Sequence, residues 1–254
     1  MSNDIKSIIL GSVLGDGSLK INPNYSNARF SFRHSVKQKD YFFWKAHILK
    51  KEIAGNKYFW YQGKDGSDGW GGEKIRFQSL ALPALTELYF LTHRHQGKFQ
   101  IRRKWLNLLT PLSLAIWWQD DGSIIANGRK GVLCTDGFKP EEVKLLGQYL
   151  KKVWHINAVA SPKSKNNPNQ YRLWFRSTNE LKSLLKIILP FVKTEDMLQK
   201  CILLYKDPKL QQRWISEIVK LSPFPLSVVD KYYQQKKEKW KKYKTSENDI
   251  VQSL

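Results

Sequence analysis

Two short stretches bring carboxylates to the point where an apolar run stops. Residues 9–17 read ILGSVLGDG and residues 114–122 read LAIWWQDDG. Each reads as a short helix closed by Asp-Gly, with glycine expected to end it through its tolerance of positive φ. A helix C-terminus carries partial negative charge, so an acid there costs several tenths of a kcal/mol. A cost taken twice calls for a compensating charge, and a divalent cation would supply it. Mg²⁺ takes oxygen ligands, usually one or two carboxylates plus substrate phosphates. Asp16 and Asp121 are the carboxylates so placed, with Asp120 beside the second. Asp-Gly also caps ordinary turns, which would explain one such site. Two at matched places favour the metal.

The rest of the composition says what such a site would act on. The chain has 254 residues, 41% hydrophobic and 13% aromatic, which is ample for a core. It carries 43 Lys and Arg against 22 Asp and Glu, a formal charge of +21. An excess that large repels itself unless a polyanion faces it, and nucleic acid is the leading partner. No run of about 20 apolar residues predicts a membrane span. Residues 1–20 do not read as a targeting peptide, being broken by Asp4, Lys6 and Asp16. An organelle (chloroplast or mitochondrion) or a bacterial cytoplasm both suit this reading, so the compartment stays open. Cys134 and Cys201 are too few for a disulfide scaffold or a zinc module. His93 and His95 lack a third ligand nearby and carry no metal prediction.

The elements that must position the acids recur in order. After the first motif, residues 28–34 (ARFSFRH) alternate Arg29, Ser31 and Arg33 with Phe30 and Phe32, a strand with one basic and one aromatic face. Residues 38–53 read as a helix and the glycine-rich residues 62–72 as a turn. Residues 73–79 repeat the alternation, with Lys74, Arg76 and Gln78 against Ile75 and Phe77. A helix over 81–90 and a basic connection over 92–109 follow. The second motif is followed by a short strand at 132–135, an amphipathic helix at 140–153 with acids in its first turn, and a turn at 162–169. A strand then carries Arg172, Trp174 and Arg176 on one face, and a helix spans 180–192. The same order, twice, roughly a hundred residues apart, reads as an internal duplication. The division expected is 1–105, 106–220, and a tail at 221–254 rich in lysine and aromatic residues, either a solvated helix or a disordered arm.

The two motifs resemble the signature helices of single-chain LAGLIDADG homing endonucleases, each with its acid in the eighth place of nine. LTPLSLAIWWQDDG, the following FKPEEV and the later MLQK are similar to the branch typified by the mitochondrial omega-intron endonuclease. The resemblance covers roughly residues 5–205. It implies an α+β fold of two pseudo-twofold-related αββαββα halves whose antiparallel sheets form a saddle over duplex DNA. Gly11 and Gly15 would let the central helices pack closely, while Ile116 and Asp120 take those places in the second copy, so a monomer is expected. It further implies hydrolysis of both strands at a long asymmetric site, leaving short 3′ overhangs. Mg²⁺ would serve, with Mn²⁺ as a substitute, at Asp16 and Asp121, with Gly15 and Asp120 as further candidates. Lys98, in GKFQI, and Lys200, in MLQK, take the places of the family's active-site lysines. Base and phosphate contacts would fall to Arg29, Ser31, Arg33, Lys74, Arg76 and Gln78 in one half. In the other they would fall to Lys163, Lys165, Gln170, Arg172, Trp174 and Arg176. Two rival readings share the basic charge: a maturase assisting splicing of intron RNA, and a DNA-binding protein without catalysis.

Overall fold

The structure is a computed structural model describing residues 1–63, 72–94, 97–126 and 128–251, with side chains of the last helix described to residue 240. Most of the glycine-rich stretch, and His95, lie outside the described residues.

Each sequence motif is a helix that is apolar nearly all round, which only a buried helix can be. α1 (Asn3–Leu14) buries Ile5, Ile8, Ile9, Leu10, Val13 and Leu14. α5 (Pro111–Asp121) buries Leu114, Ile116, Trp117 and Trp118 and lies along α1. Thr110 caps α5 by accepting from Ser113 N–H at 3.3 Å, and Pro111 occupies the first turn. The same threonine donates to Ser7 Oγ at 2.9 Å, fixing the two helices against each other at their N-terminal ends.

A similar unit follows each central helix. β1 (Gly17–Lys20) and β2 (Arg29–Ser35) precede α2 (Lys39–Ile53), β3 (Phe59–Gln62), β4 (Lys74–Gln78) and α3 (Pro83–Thr92). After the short α4 (Arg103–Leu106) and α5 come β5 (Gly122–Ile125), β6 (Lys130–Leu133), α6 (Pro140–Val153), β7 (Val159–Ser164), β8 (Asn167–Phe175) and α7 (Thr178–Ile188). The strands form two antiparallel four-stranded sheets, ordered β1-β2-β4-β3 and β5-β6-β8-β7. The expected αββαββα order is present in both halves. Phe30, Phe32, Ile75 and Phe77 line the buried face of the first sheet, and Leu133, Leu173 and Phe175 that of the second. α8 (Pro208–Leu221) and α9 (Leu226–Val251) complete the chain.

Four strands were not read from the sequence. β1 and β5 have four residues each and start at the glycine that ends a motif, so they show little alternation. β3, FWYQ, has adjacent exposed aromatics rather than period two. β7 ends, and β8 (Asn167–Phe175) begins, inside the stretch 162–169 expected to be a turn. Pro162 in β7 is tolerated because β7 is an edge strand with no ladder bond needed on its outer side.

Candidate active site

Gly15 closes α1 by donating to Ser12 O at 2.9 Å, and Gly122 closes α5 by donating to Trp118 O. Their φ values are −115° and −77°, so neither uses the left-handed region, contrary to the sequence expectation. The reason for glycine is space. A Cβ on Gly15 would lie 2.6 Å from Asp120 Cβ, and one on Gly11 would lie 2.9 Å from Ile116 Cβ. The larger residues of the second motif therefore fill the places the glycines of the first leave open. The motif copies differ because they are the two sides of one close contact.

Seating Asp120 over Gly15 sends its carboxylate into the other half. There it accepts from Tyr41 Oη at 2.7 Å, from Lys45 Nζ at 3.0 and 3.3 Å, and from the Asp16 backbone N–H at 3.3 Å. Neither the Asp120 nor the Lys45 side chain is exposed at all. Lys45 also donates to Ser12 Oγ at 3.3 Å and sits over the Phe32 ring at 4.3 Å. His34, buried on the inner face of β2, completes the group. Its Nδ1 lies 3.3 Å from Asp16 Oδ2 and its Nε2 lies 3.7 Å from Asp120 Oδ1, and neither nitrogen meets hydrogen-bond geometry. Burial and the Lys45 charge hold the His34 pKa below its ordinary value. Sequence reading passed over His34 and Lys45. Both sit on otherwise apolar faces, His34 after Phe30 and Phe32, and Lys45 among Tyr41, Phe42, Ala46 and Leu49. A polar residue inside such a stripe was the available signal.

The two acids singled out from the sequence are not equivalent. Asp16 lies beyond the end of α1 with 41% of its side chain exposed. Burial pushes its pKa up, but His34 and the Lys45 and Lys200 charges outweigh it and hold the carboxyl below its usual range. Asp121 is the last residue of α5 and takes part in no ion pair among the described residues. Burial, with the nearby charges of Asp16 and Asp120, raises it from 3.8 to about 8. Ligand atoms of Asp16, His34 and Asp120 lie within 4.8 Å of one another. Asp120 already holds an ammonium, a hydroxyl and an amide. Asp121, which makes no ion pair among the described residues, and Asp16 are the carboxylates without a fixed cation, a donor set of the kind a divalent ion takes.

Lys200 ends a 3-10 turn, Glu195–Lys200. Its Nζ donates to Gln119 O at 2.6 Å and Asp120 O at 3.0 Å, the carbonyls that the end of α5 leaves free. Its own carbonyl accepts from Trp118 Nε1 at 2.8 Å. Burial lowers its pKa even though three carboxylates nearby raise it. Lys98 is exposed, and its side chain makes no ion pair among the described residues. The structure thus brings Lys200 to the acids and leaves Lys98 in solvent.

The open faces of the two sheets also differ. Register sets Lys20 opposite Arg29, Ser31 opposite Gln78, and Arg76 between Arg33 and Trp60. Arg29, Ser31, Arg33, Lys74, Arg76 and Gln78 therefore share one face. Like charges directly opposite destabilise a sheet, so this face suits an anionic partner. Trp60, 38% exposed, packs on Arg76 at 5.2 Å. It shares that face with Gln62 and Lys20, and none of the three was expected there. On the second sheet Ser161 lies opposite Arg172, and Val132 and Val159 opposite Trp174. Arg172 Nε and Nη2 both donate to Asp136 at 2.6 Å, and Lys163 reaches the same carboxylate at 2.9 Å. Lys163 also donates to Gln170 Oε1 at 3.3 Å, Arg176 donates to Ser161 Oγ at 3.2 Å, and Lys165 is exposed in the hairpin turn.

Residues 6–182 match the sequence profile of the LAGLIDADG DNA endonuclease family. The chain is 33% identical over 130 residues to a protein named RecA from Mycolicibacterium chitae, covering 51% of this chain and 28% of that one. It is 25% identical over 198 residues to the cytochrome b mRNA maturase bI2 of Saccharomyces cerevisiae, covering 76% of this chain and 46% of that one. The chain thus spans less than half the length of either relative. Among solved structures, the homing endonuclease I-WcaI bound to its DNA recognition sequence superposes with a TM-score of 0.67 at 21% identity. That match covers 80% of this chain and 88% of I-WcaI and establishes the likeness of fold.

Proposed function

We propose that this chain, which belongs to the LAGLIDADG DNA endonuclease family, is a monomeric, divalent-metal-dependent nuclease cutting both strands of a long, asymmetric DNA site. The observation that carries the reading is the crowding of Asp16 and Asp121 at the adjoining ends of α1 and α5. There burial, with the charges of Asp16 and Asp120, raises Asp121 to about 8, and α1 lies against α5.

Asp16 and Asp121 would hold Mg²⁺ or Mn²⁺. Such an ion, when bound, supplies an acidified water and neutralises charge on the phosphate. The chain's own groups do the rest. Lys200 has two of its three protons on α5 carbonyls, and the third is free for a phosphate oxygen. His34, its pKa held down by burial, stands 3.3 Å from Asp16 Oδ2 without adding a positive charge there. Asp120 fixes the Asp16 backbone from behind. Arg29, Arg33, Lys74 and Arg76 would track one half-site through phosphates and guanine edges. Arg172 and Trp174 would meet the other through a less charged surface. Lys98 would need the DNA to draw it in.

The test is cleavage of a randomised duplex library with Mg²⁺, with EDTA, and with Asp121→Asn. Double-strand cutting at one long asymmetric site, lost in the last two, supports the proposal. Efficient cutting of palindromes built from either half-site would refute the asymmetric reading. A second reading, assistance of intron RNA splicing, is favoured by the likeness to the yeast maturase over 76% of this chain. Intron RNA binding without any duplex cleavage would select it.

A further inference from the structure

α9, in the segment read from the sequence as a tail, presents a packed stripe at helical spacing: Val229, Tyr232, Tyr233, Lys236 and Trp240. Its opposite face, with Gln234, Gln235, Lys237 and Glu238, is exposed. An apolar side chain at 236 would suit such a stripe. A lysine stands there instead, and its Nζ donates to Gln199 O at 2.6 Å and Ile202 O at 2.7 Å. Those carbonyls bracket Lys200 on either side. Lys239 Nζ reaches Gln199 Oε1 at 3.5 Å, and Lys231 approaches Glu195 at 3.8 Å. From the other side the same turn is held by Trp118 Nε1 on the Lys200 carbonyl.

We propose that Lys236 is a positioning residue. It clamps the Glu195–Lys200 turn from α9, so that the Lys200 ammonium stays on the carbonyls of α5 next to Asp121. The proposal rests on the reading of Lys200 as an active-site lysine. A merely adhesive helix would have no use for an ammonium at this point. Burial pushes the pKa of Lys236 down to about 8. Only a long side chain with several protons can satisfy both carbonyls at once, whereas leucine or methionine would leave them without a donor.

The experiment compares Lys236→Met, Lys200→Met and the double variant in the full chain, on the duplex selected from the library. Single-turnover cleavage by Lys236→Met should fall roughly 10- to 100-fold, as expected for a small misplacement of an active-site group. The dissociation constant for DNA, measured in EDTA, should change less than about threefold. The double variant should be no slower than Lys200→Met alone, because both act through one ammonium. Lys236→Gln keeps a donor and should recover part of the rate. It also carries the comparison if the methionine variant does not fold. Wild-type rates in Lys236→Met, losses that multiply in the double variant, or a loss confined to DNA affinity would each overturn the clamp. Amide hydrogen exchange over residues 195–202 reads the same contact without catalysis. Exchange unchanged in Lys236→Met overturns the proposal. Faster exchange in a chain that cuts no duplex upholds the clamp and removes the nuclease reading instead.

Discussion

Replacing Lys45 by methionine keeps the length of the side chain and removes its charge. The Asp120 carboxylate would then lie fully buried with one hydroxyl at 2.7 Å and one amide at 3.3 Å. Breaking one partner of a buried pair costs about 3–5 kcal/mol, because the remaining charge is uncompensated. At about 2–4 °C per kcal/mol for a chain of this size, the melting temperature should drop by roughly 6–20 °C. Asp120→Asn should cost a similar amount, since it strands the ammonium of Lys45 among Phe32, Tyr41 and Ser12. Combining the two leaves neither charge, so the double variant should be more stable than the sum of the singles predicts. The coupling should lie near the upper end of the usual range of about 0.5–3 kcal/mol. Thermal or urea unfolding of the four proteins gives this cycle directly. Additive costs would refute the reasoning, for they would mean that Lys45 and Asp120 do not depend on each other. Cleavage by the folded double variant is the second readout. Asp120 anchors the Asp16 backbone and keeps its own carbonyl on Lys200, so activity should be reduced but still respond to Mg²⁺. A double variant as dead as Asp121→Asn would make Asp120 a metal ligand.

Other expectations follow from the same geometry. Asp121 is raised from 3.8 to about 8 in the folded state, so between those values the folded chain holds a proton that the unfolded chain has released. Its contribution to stability therefore falls as pH rises through that window and is gone above it. In EDTA, wild type should lose about 3–5 °C per pH unit relative to Asp121→Asn between pH 6 and 8; parallel melting curves would count against it. Gly15→Ala places a Cβ 2.6 Å from Asp120 Cβ and 3.0 Å from its Oδ2. It should cost about 1–3 kcal/mol and slow cleavage, whereas Gly137→Ala, which meets nothing within 4 Å, should unfold like wild type. Asp136 holds one edge of the Arg172 guanidinium, leaving the end-on edge free for a guanine. Asp136→Asn should tighten binding to a scrambled duplex and narrow its difference from the target, as competitive binding isotherms would report.

What was legible in the sequence was whatever has a local signature. The two motif helices, the alternation of β2 and β4, and α6 with its proline and paired acids all declare themselves within a few residues. Asp120 did not, because its partners lie 75, 79 and 104 positions away, and only packing of α1 on α5 delivers it to them. The same holds for Lys236, whose run of lysines and aromatics looks solvated until the turn beneath it is placed. The expectation of positive φ at the motif glycines failed for a related reason. Glycine is also chosen where another element comes close, and that approach is invisible until both helices are present.

The two halves share a topology, yet nearly every chemical feature of the site is one-sided. Gly11 and Gly15 receive Ile116 and Asp120, so the close contact has a slot on one helix and a plug on the other. The buried ammonium, Lys45, comes from the first half, and Lys200, with the clamp beneath it, from the second. One sheet opens a face of arginine, lysine and glutamine. The other opens a face where valine surrounds Trp174 and Arg172 is tied to Asp136. A slot cannot pack on a slot with equal closeness, so pairing of two like halves would lose both the Gly15–Asp120 contact and the ion pair it carries. The two frames are similar, and the asymmetry of one helix contact makes each half dependent on an unlike partner, which is the physical ground of the proposal that a single chain acts alone on a site with unlike ends.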